Sequence, residues 1–403
     1  MSITSPPRLP RPGDPVTRED VEALIEEARQ RARRRRQRYA AAAVVVALAT
    51  VGIVTIVERT TQTQTASPAL AARSAAAVGA ARSQIAYMRD TGGEAHKKLY
   101  VMNANGSGQR LLARGVGWDI VWSPDGREIA FLRVGFGEKP GLFVVKADGS
   151  GERRLTRKAQ ASALSWAPGF DWAPDGQTIA FARRRDGKPE IYVINADGGG
   201  LKRLTRNAAG DASPAWSPAG QKIAFASRRD GNWEIYVMNA DGGGVQRLTR
   251  NAVGDGFSAW SPDGRKIVFV RFRREGYLGA RISDIYVMNA DGTGQRRLAR
   301  DAGFPSWSPD GRKIAYSSSA RAGTGNADIY VVNADGSGVR NLTHSTAAEV
   351  GSTWSPDGRK IAFARSFDDG GQSSDIYVMN ADGSEQRRLA RNAGGMVWSP
   401  GGS

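Results

Sequence analysis

A unit of 44 to 50 residues recurs seven times between residues 83 and 403, and this repeat limits the fold more than any other feature of the chain. Each copy contains a tryptophan followed by a tight turn, as in Trp122-Ser-Pro-Asp-Gly. The seven tryptophans are Trp122, Trp172, Trp216, Trp260, Trp307, Trp354 and Trp398. Each copy also carries a phrase such as Ile-Tyr-Val-Met-Asn-Ala-Asp-Gly, with its aromatic residue at Tyr100, Phe143, Tyr192, Tyr236, Tyr286, Tyr330 or Tyr377.

The local sequence within each repeat predicts four short strands. Four phrases alternate in polarity and are rich in β-branched and aromatic residues, which favours extended structure. Ser-Pro-Asp-Gly and Asn-Ala-Asp-Gly are turn sequences, because proline fixes φ, aspartate bonds its own backbone and glycine accepts a positive φ. Four antiparallel strands in 44 to 50 residues match the size of one propeller blade.

The two ends of the repeat region predict how the ring closes. The first repeat opens with its second strand, at Gln84, and the phrase of its missing first strand occurs only at Met396–Pro400. We therefore expect the C-terminal strand to complete the first blade. The predicted fold is all-β: a closed seven-bladed β-propeller over residues 83–403, preceded by one transmembrane helix.

The first 82 residues predict a membrane anchor. Seven arginines lie between Arg29 and Arg38, and the nineteen residues Tyr39–Val57 carry no charge. A helix of that length spans about 28 Å, close to the hydrocarbon thickness of a bilayer. A basic flank stays in the cytoplasm, so residues 1–38 are interpreted as a cytoplasmic basic tail, 39–57 as the transmembrane helix and 58–82 as a flexible linker. The propeller is then extracytoplasmic, on a single-pass cell-membrane protein.

Two alternatives remain open for this region. The apolar run could belong to a secretory signal that is cleaved near Ala66–Ala71, which would give a secreted or periplasmic protein. Residues 17–36 show helical apolar spacing and predict a short amphipathic helix, which could bind a cytoplasmic protein.

The composition argues against catalysis. The chain has no cysteine and two histidines, His96 and His344, so thiolate chemistry and clustered nitrogen ligands for a metal are excluded. No G-x-S-x-G motif is present. Asn-Ala-Asp-Gly resembles part of a calcium loop, but Val193 stands where a carboxylate ligand is required before Asn195. We expect a non-enzyme with no catalytic residue, no metal and no cofactor.

The formal charge of +17 is spread around the repeats. Basic phrases such as Arg296-Arg297-Leu-Ala-Arg300 recur in the outermost strand, where charge protects an exposed edge from further pairing. Nucleic-acid binding would favour one concentrated basic stripe with stacking aromatic residues, so nucleic acid is not expected as a partner. A basic rim outside a membrane could instead attract anionic envelope polymers or lipid headgroups.

The connections between strands differ in variability. Both turn motifs are nearly uniform in length and fall on one face, whereas the second-to-third-strand and blade-to-blade connections on the opposite face vary. Variable surface loops rich in aromatic residues and arginine are common recognition sites. The candidate binding residues are Trp166, Phe170, Asp171, Arg271, Phe272, Arg273, Arg274, Tyr277 and Arg281.

The repeat Trp-Ser-Pro-Asp-Gly-x-x-Ile-Ala-Phe, followed by Ile-Tyr-Val-Met-Asn-Ala-Asp-Gly, resembles the propeller repeat of the TolB-like, WD-like family over residues 83–403. The resemblance implies protein binding in the cell envelope, and the TolB N-terminal domain is not matched. The leading hypothesis is an extracytoplasmic, membrane-anchored scaffold that binds a protein or an anionic envelope polymer. A transmembrane sensor acting through residues 17–36 is the alternative, and a propeller enzyme is a third hypothesis.

Overall fold

A computed structural model describes residues 83–90, 97–133, 141–156, 169–185, 187–275, 281–319, 326–366 and 374–401. These residues form 28 strands arranged in seven four-stranded antiparallel sheets. No helix long and apolar enough to cross a membrane occurs among them. The predicted tail, anchor and linker, residues 1–82, lie outside the described part of the chain.

Each sheet is one blade, numbered in the order in which the chain enters it. Blade 1 contains β1 (Gln84–Arg89), β2 (Lys98–Asn103), β3 (Arg110–Arg114) and β28 (Ala393–Trp398). Blade 2 contains β4 (Val116–Trp122), β5 (Glu128–Arg133), β6 (Gly141–Lys146) and β7 (Arg153–Arg154). Blade 3 contains β8 (Phe170–Trp172), β9 (Thr178–Arg185), β10 (Lys188–Asn195) and β11 (Lys202–Arg203). Blade 4 contains β12 (Asp211–Trp216), β13 (Lys222–Ser227), β14 (Glu234–Asn239) and β15 (Gln246–Arg247).

The remaining three blades repeat the same order. Blade 5 contains β16 (Gly254–Trp260), β17 (Lys266–Glu275), β18 (Arg281–Asn289) and β19 (Arg296–Ala299). Blade 6 contains β20 (Ala302–Trp307), β21 (Lys313–Ser318), β22 (Asp328–Asn333) and β23 (Arg340–Asn341). Blade 7 contains β24 (Ala348–Trp354), β25 (Lys360–Ser366), β26 (Ser374–Asn380) and β27 (Arg387–Ala390).

The ring closes through blade 1, as the sequence predicted. The C-terminal strand β28 is the innermost strand of this blade and pairs antiparallel with β1, with Trp398 opposite Ile85 and Ala393 opposite Arg89. The Gln84 amide also donates to Ser399 Oγ at 2.9 Å, and the Ser399 amide donates to the Gln84 carbonyl oxygen at 2.7 Å. The repeat region therefore joins its first and last strands within a single sheet.

The hydrophobic core consists of layers between neighbouring blades. One layer packs Ile85 and Tyr87 of blade 1 against Ile376 and Val378 of blade 7. The tryptophan near the end of each inner strand usually adds a hydrogen bond across the same junction, because its indole N–H reaches the inner strand of the preceding blade. These bonds run from Trp122 to the carbonyl oxygen of Val397, Trp260 to Ala215, Trp307 to Ala259, Trp354 to Ser306 and Trp398 to Thr353.

The turns explain why glycine recurs at fixed positions. In the Asn-Ala-Asp-Gly turn of blade 7, Gly383 has φ +92°, and a Cβ added there would lie 2.8 Å from the Leu342 carbonyl oxygen of blade 6. Only glycine combines this left-handed backbone with such a close approach. The glycine thus allows the turn of one blade to rest on the outer strand region of the blade before it.

Candidate binding face

The strand order divides the propeller into two faces. One face, here called the turn face, carries two kinds of turn. Ser-Pro-Asp-Gly-type turns connect the first strand of a blade to the second, and Asn-Ala-Asp-Gly-type turns connect the third strand to the outer strand. The opposite face, called the loop face, carries the second-to-third-strand connections and the blade-to-blade connections. The structure describes seven of the nine candidate binding residues, which lie on β8, β17 and β18, strands that border connections of the loop face.

Arg271 lies inside blade 5 rather than in a loop. Its guanidinium donates to both carboxylate oxygens of Asp255, at 2.8 and 2.9 Å, and Asp255 is fully buried. The same group lies 4.4 Å from the centroid of the Tyr286 ring and reaches Gln295 Oε1 at 3.3 Å. Arg271 thus joins the innermost strand to the outer edge of its blade.

Phe272 and Arg273 stand next to it on β17. The ring of Phe272 meets Phe257 edge to face at 5.8 Å and covers Gly254 and Gly256, where a Cβ would lie only 3.5 and 3.3 Å from it. Both rings are partly exposed. Arg273 forms ion pairs with Asp284 and Asp301 while about 39% of its side chain stays exposed.

The six remaining candidate residues differ in what the structure shows of them. Phe170 is fully buried and Asp171 is 7% exposed, both on the short inner strand β8. Arg274 and Arg281 lie on β17 and β18, and their side chains are outside the described part. Trp166 and Tyr277 also lie outside the described residues, so their predicted role stays a prediction.

The Arg271–Asp255 pair is one of several similar buried ion pairs, which were not predicted from the sequence. Two other blades hold a fully buried inner-strand carboxylate against an arginine that lies in the second strand or just after it. These pairs are Asp211–Arg229 in blade 4 and Glu349–Arg365 in blade 7. Burial raises the pKa of both Asp255 and Glu349 above the ordinary range, while the paired arginines oppose the rise. The signal was present in the sequence as an acid 16 or 18 residues before the arginine.

A second set of carboxylates anchors the start of the blade-to-blade connections. An acid at the start of the third strand in blades 3 to 7 faces a side chain of the outer strand. The pairs are Glu190–Arg203, Glu234–Arg247, Asp284–Arg297, Asp328–Asn341 and Asp375–Arg388. The same acids accept backbone N–H groups further along, for example from Asn251 to Glu234 at 2.9 Å. Much of the basic rim is thus engaged within the blades.

Two further buried acids cross the junctions on either side of blade 3. Asp119 Oδ2 accepts the Gly169 amide at 3.0 Å, and Asp171 Oδ2 accepts the Trp216 amide at 2.8 Å. Burial is the main cause that raises the pKa of each carboxyl to about 7, and the backbone hydrogen bonds oppose it. At these two junctions the indole N–H groups of Trp172 and Trp216 have no partner among the described residues. The carboxyls therefore supply the polar contact between blades there.

The structural role of Arg271 leads to a stability prediction. We expect Arg271→Gln to lower the free energy of unfolding by about 3 kcal/mol, because it leaves the buried Asp255 carboxylate without its counter-charge. Chemical denaturation at neutral pH would measure the change. The double variant Asp255→Asn/Arg271→Gln removes the unpaired charge and is expected to recover part of the stability. Unchanged stability in Arg271→Gln would contradict a structural role.

The seven sheets form a closed β-propeller, and comparison with known proteins assigns the chain to a propeller family. The family model for the TolB beta propeller domain matches residues 72–282 and 302–403, and the chain belongs to this family. TolB from Acinetobacter baumannii is 20% identical, with 80% of this chain and 67% of that chain aligned and a TM-score of 0.49. An oligogalacturonate lyase in complex with manganese is 15% identical over 76% of this chain and 85% of that chain, with a TM-score of 0.55.

A curated relative matches a short segment. The Tol-Pal system protein TolB of Alcanivorax borkumensis is 35% identical over 66 residues, which are 16% of this chain and 14% of that protein. The similar structures thus include TolB and a lyase, and at these identities their likeness shows the fold alone. Among the described residues, no group of three or more potential metal-ligating side chains converges.

Proposed function

We propose that the protein is a non-enzymatic binding scaffold, anchored in a membrane, whose propeller recognises a protein or an envelope polymer outside the cytoplasm through the loop face. The observation that carries this proposal is that one face has uniform turns and the other has variable connections. On the turn face, each turn repeats the same hydrogen bonds and packs against the preceding blade. The connections that differ from blade to blade all lie on the loop face, which is where recognition loops are expected on a rigid scaffold.

The membrane part of the proposal rests on the sequence. The uncharged residues 39–57 and the arginines before them favour a retained anchor with the propeller outside. Membership of the TolB beta propeller domain family supports a binding role in general terms. The non-enzymatic assignment rests on the absence of cysteine and on the two histidines, of which His344 is an exposed loop residue.

In-cell crosslinking followed by mass spectrometry tests the binding face. The variant should replace residues 276–280 and 157–166 with Gly-Ser links, because these segments contain Tyr277 and Trp166 and leave the described strands intact. We expect partners captured by the full chain to be absent from this variant. The matched control replaces residues 320–325, a connection on the same face without aromatic residues, and should keep them.

The results separate the competing functions. Partners that persist after the aromatic loops are replaced would contradict recognition through the loop face. Extraction of the protein from membranes by alkaline carbonate would contradict the anchor. Deleting residues 1–36 while keeping residues 39–57 tests the sensor alternative, since a scaffold keeps its partners and its function without the cytoplasmic tail.

A further inference from the structure

The outer strands sort their basic residues into three positions with different surroundings. The first position contacts the next blade, where it donates to backbone carbonyl oxygens of the Asn-Ala-Asp-Gly-type turn. These contacts run from Arg110 to Ala147, Arg153 to Ala196, Lys202 to Asp241, Arg296 to Ala334, Arg340 to Asp382 and Arg387 to Asn105. The second position pairs with the acid at the start of the third strand in blades 3, 4, 5 and 7.

The third position has no such partner. It lies where the outer strand region ends at the loop face and the connection to the next blade begins. Its described residues are all exposed, and none of the arginine side chains makes an ion pair or a hydrogen bond in the described structure. These residues are Arg114, Arg206, Arg250, Arg300 and Arg391, with His344 at the same position in blade 6. They form what is here called the third-arginine ring.

The neighbouring carboxylates do not neutralise this ring. Glu190 and Glu234 are already paired with Arg203 and Arg247, and both acids are almost completely buried. The outer acid Asp301 is paired with Arg273. Around the rim of the loop face, the charge that the described residues leave without a counter-charge is therefore positive, and a cationic rim attracts anionic ligands.

The position at which the chain enters the propeller determines whether the third-arginine ring faces the anchoring membrane or points away from it. The Ser83 carbonyl oxygen accepts the Ala104 amide at 3.0 Å, and Ala104 belongs to the Asn-Ala-Asn-Gly turn of blade 1. Ser83, the first described residue, thus lies on the turn face. If residues 39–57 anchor the chain, the shortest arrangement places the turn face towards the bilayer and the loop face away from it.

We propose that the third-arginine ring binds a linear polyanion, a polymer with a negative charge on each repeating unit, on the side of the propeller away from the anchoring membrane. The inference rests on the proposed anchoring for its direction and deepens the proposed function by naming the ligand class. One arginine per blade, repeated around a rim, offers a repeating polymer several equivalent contacts at once. Simultaneous contacts of this kind raise the overall affinity without any single strong site.

The test uses the full chain in nanodiscs of zwitterionic lipid, with fluorescently labelled polyphosphate or poly-glutamate as the probe. The ring variant is Arg206→Gln/Arg250→Gln/Arg300→Gln. The matched control, Arg265→Gln/Arg312→Gln/Arg359→Gln, removes the same charge from exposed arginines of the turn face. We expect the ring variant to weaken polymer binding by at least about tenfold, and the control by less than about twofold. The salt dependence should also flatten, by roughly 0.7 in the log–log slope for each arginine that no longer binds the polymer.

Three outcomes would overturn the proposal. Equal weakening in both variants would mean that binding follows net charge rather than the ring. If neither polymer binds at low salt, a linear polyanion is ruled out as the ligand of the ring. Ring-dependent binding to separate nanodiscs rich in anionic lipid, without polymer binding, would assign the ring to a bilayer instead. In each case a partner still captured by the aromatic loops would leave the scaffold function intact.

Discussion

A chain that ends at Arg391 is expected to lose the cooperative unfolding transition of the propeller. This truncation removes β28, and β1 then becomes an unpaired inner strand facing the centre of the ring. It also removes Met396, Val397 and Trp398, whose side chains are almost completely buried. Burial of three such side chains contributes roughly 5–9 kcal/mol, which is comparable with the total stability of most folded domains.

The effect extends beyond blade 1, because β28 contacts blades on both sides. The Trp122 indole donates to the Val397 carbonyl oxygen, and the Trp398 indole donates to that of Thr353. Without β28, blades 2 and 7 each lack a partner surface, and the ring becomes an open arc with two exposed edges. We therefore expect the whole transition to disappear rather than one blade to melt.

Thermal and chemical denaturation followed by near-ultraviolet circular dichroism would measure the effect. A control chain that ends at Gly401 keeps β28 and should unfold as the full chain does. Adding a peptide of residues 392–403 to the shorter chain should restore part of the transition, because the inner position of blade 1 is still shaped to receive it. A normal transition in the chain that ends at Arg391 would contradict closure through β28.

Most of the architecture could be predicted from the sequence, because the repeat itself encodes it. Trp398 and Gln84 show the reason: the order of phrases at the two ends reveals which blade is shared between them. Register also follows, since the aromatic residues of the second and third strands stack as pairs, such as Phe269 with Tyr286 at 5.6 Å. Because the repeat occurs seven times, each strand and turn assignment is supported by seven copies of the same pattern, which excludes a chance match.

The roles of individual charged residues were harder to predict. The sequence pattern predicts Arg271 in a recognition loop, because arginine and aromatic residues cluster after Phe269. The structure extends β17 to Glu275, so Arg271 becomes a strand residue directly opposite Asp255 in the ladder. Strand ends are set by such pairings across the sheet, which a local pattern does not contain. Comparing Arg271 with Arg365, which pairs with Glu349 in blade 7, would have suggested the structural role.

The final prediction concerns Asp171, whose carboxyl has a pKa of about 7 because it is buried between blades 3 and 4. We expect Asp171→Asn to stabilise the protein above pH 7 by up to about 4 kcal/mol, since each unit of pKa shift corresponds to about 1.4 kcal/mol. Asparagine keeps an oxygen that can accept the Trp216 amide, so the junction should stay intact. Asp119→Asn should act in the same direction, because burial also raises the pKa of the Asp119 carboxyl to about 7.

The sign of the pH dependence follows from proton binding. The unfolded chain releases the Asp171 proton near its ordinary pKa of 3.8, whereas the folded chain holds the proton until about pH 7. Between these values the folded state binds more protons, so the stability contributed by this group falls as the pH rises and is lost above pH 7. The difference in unfolding free energy between Asp171→Asn and the wild type should therefore grow from pH 4 to pH 7 and then stay constant. A difference that does not change with pH would contradict the buried, protonated carboxyl.

Asp291 provides a control with the opposite sign. It lies in an exposed turn, where hydrogen bonds from the Thr293 hydroxyl and amide lower the pKa of its carboxyl. A lowered pKa means that the folded state favours the charged form, so its contribution is present above the unfolded pKa and disappears as the pH falls. Asp291→Asn should thus cost stability at neutral pH and little under acid conditions. Opposite pH trends in the two variants would tie the effect at Asp171 to burial between the blades, because both substitutions remove the same charge.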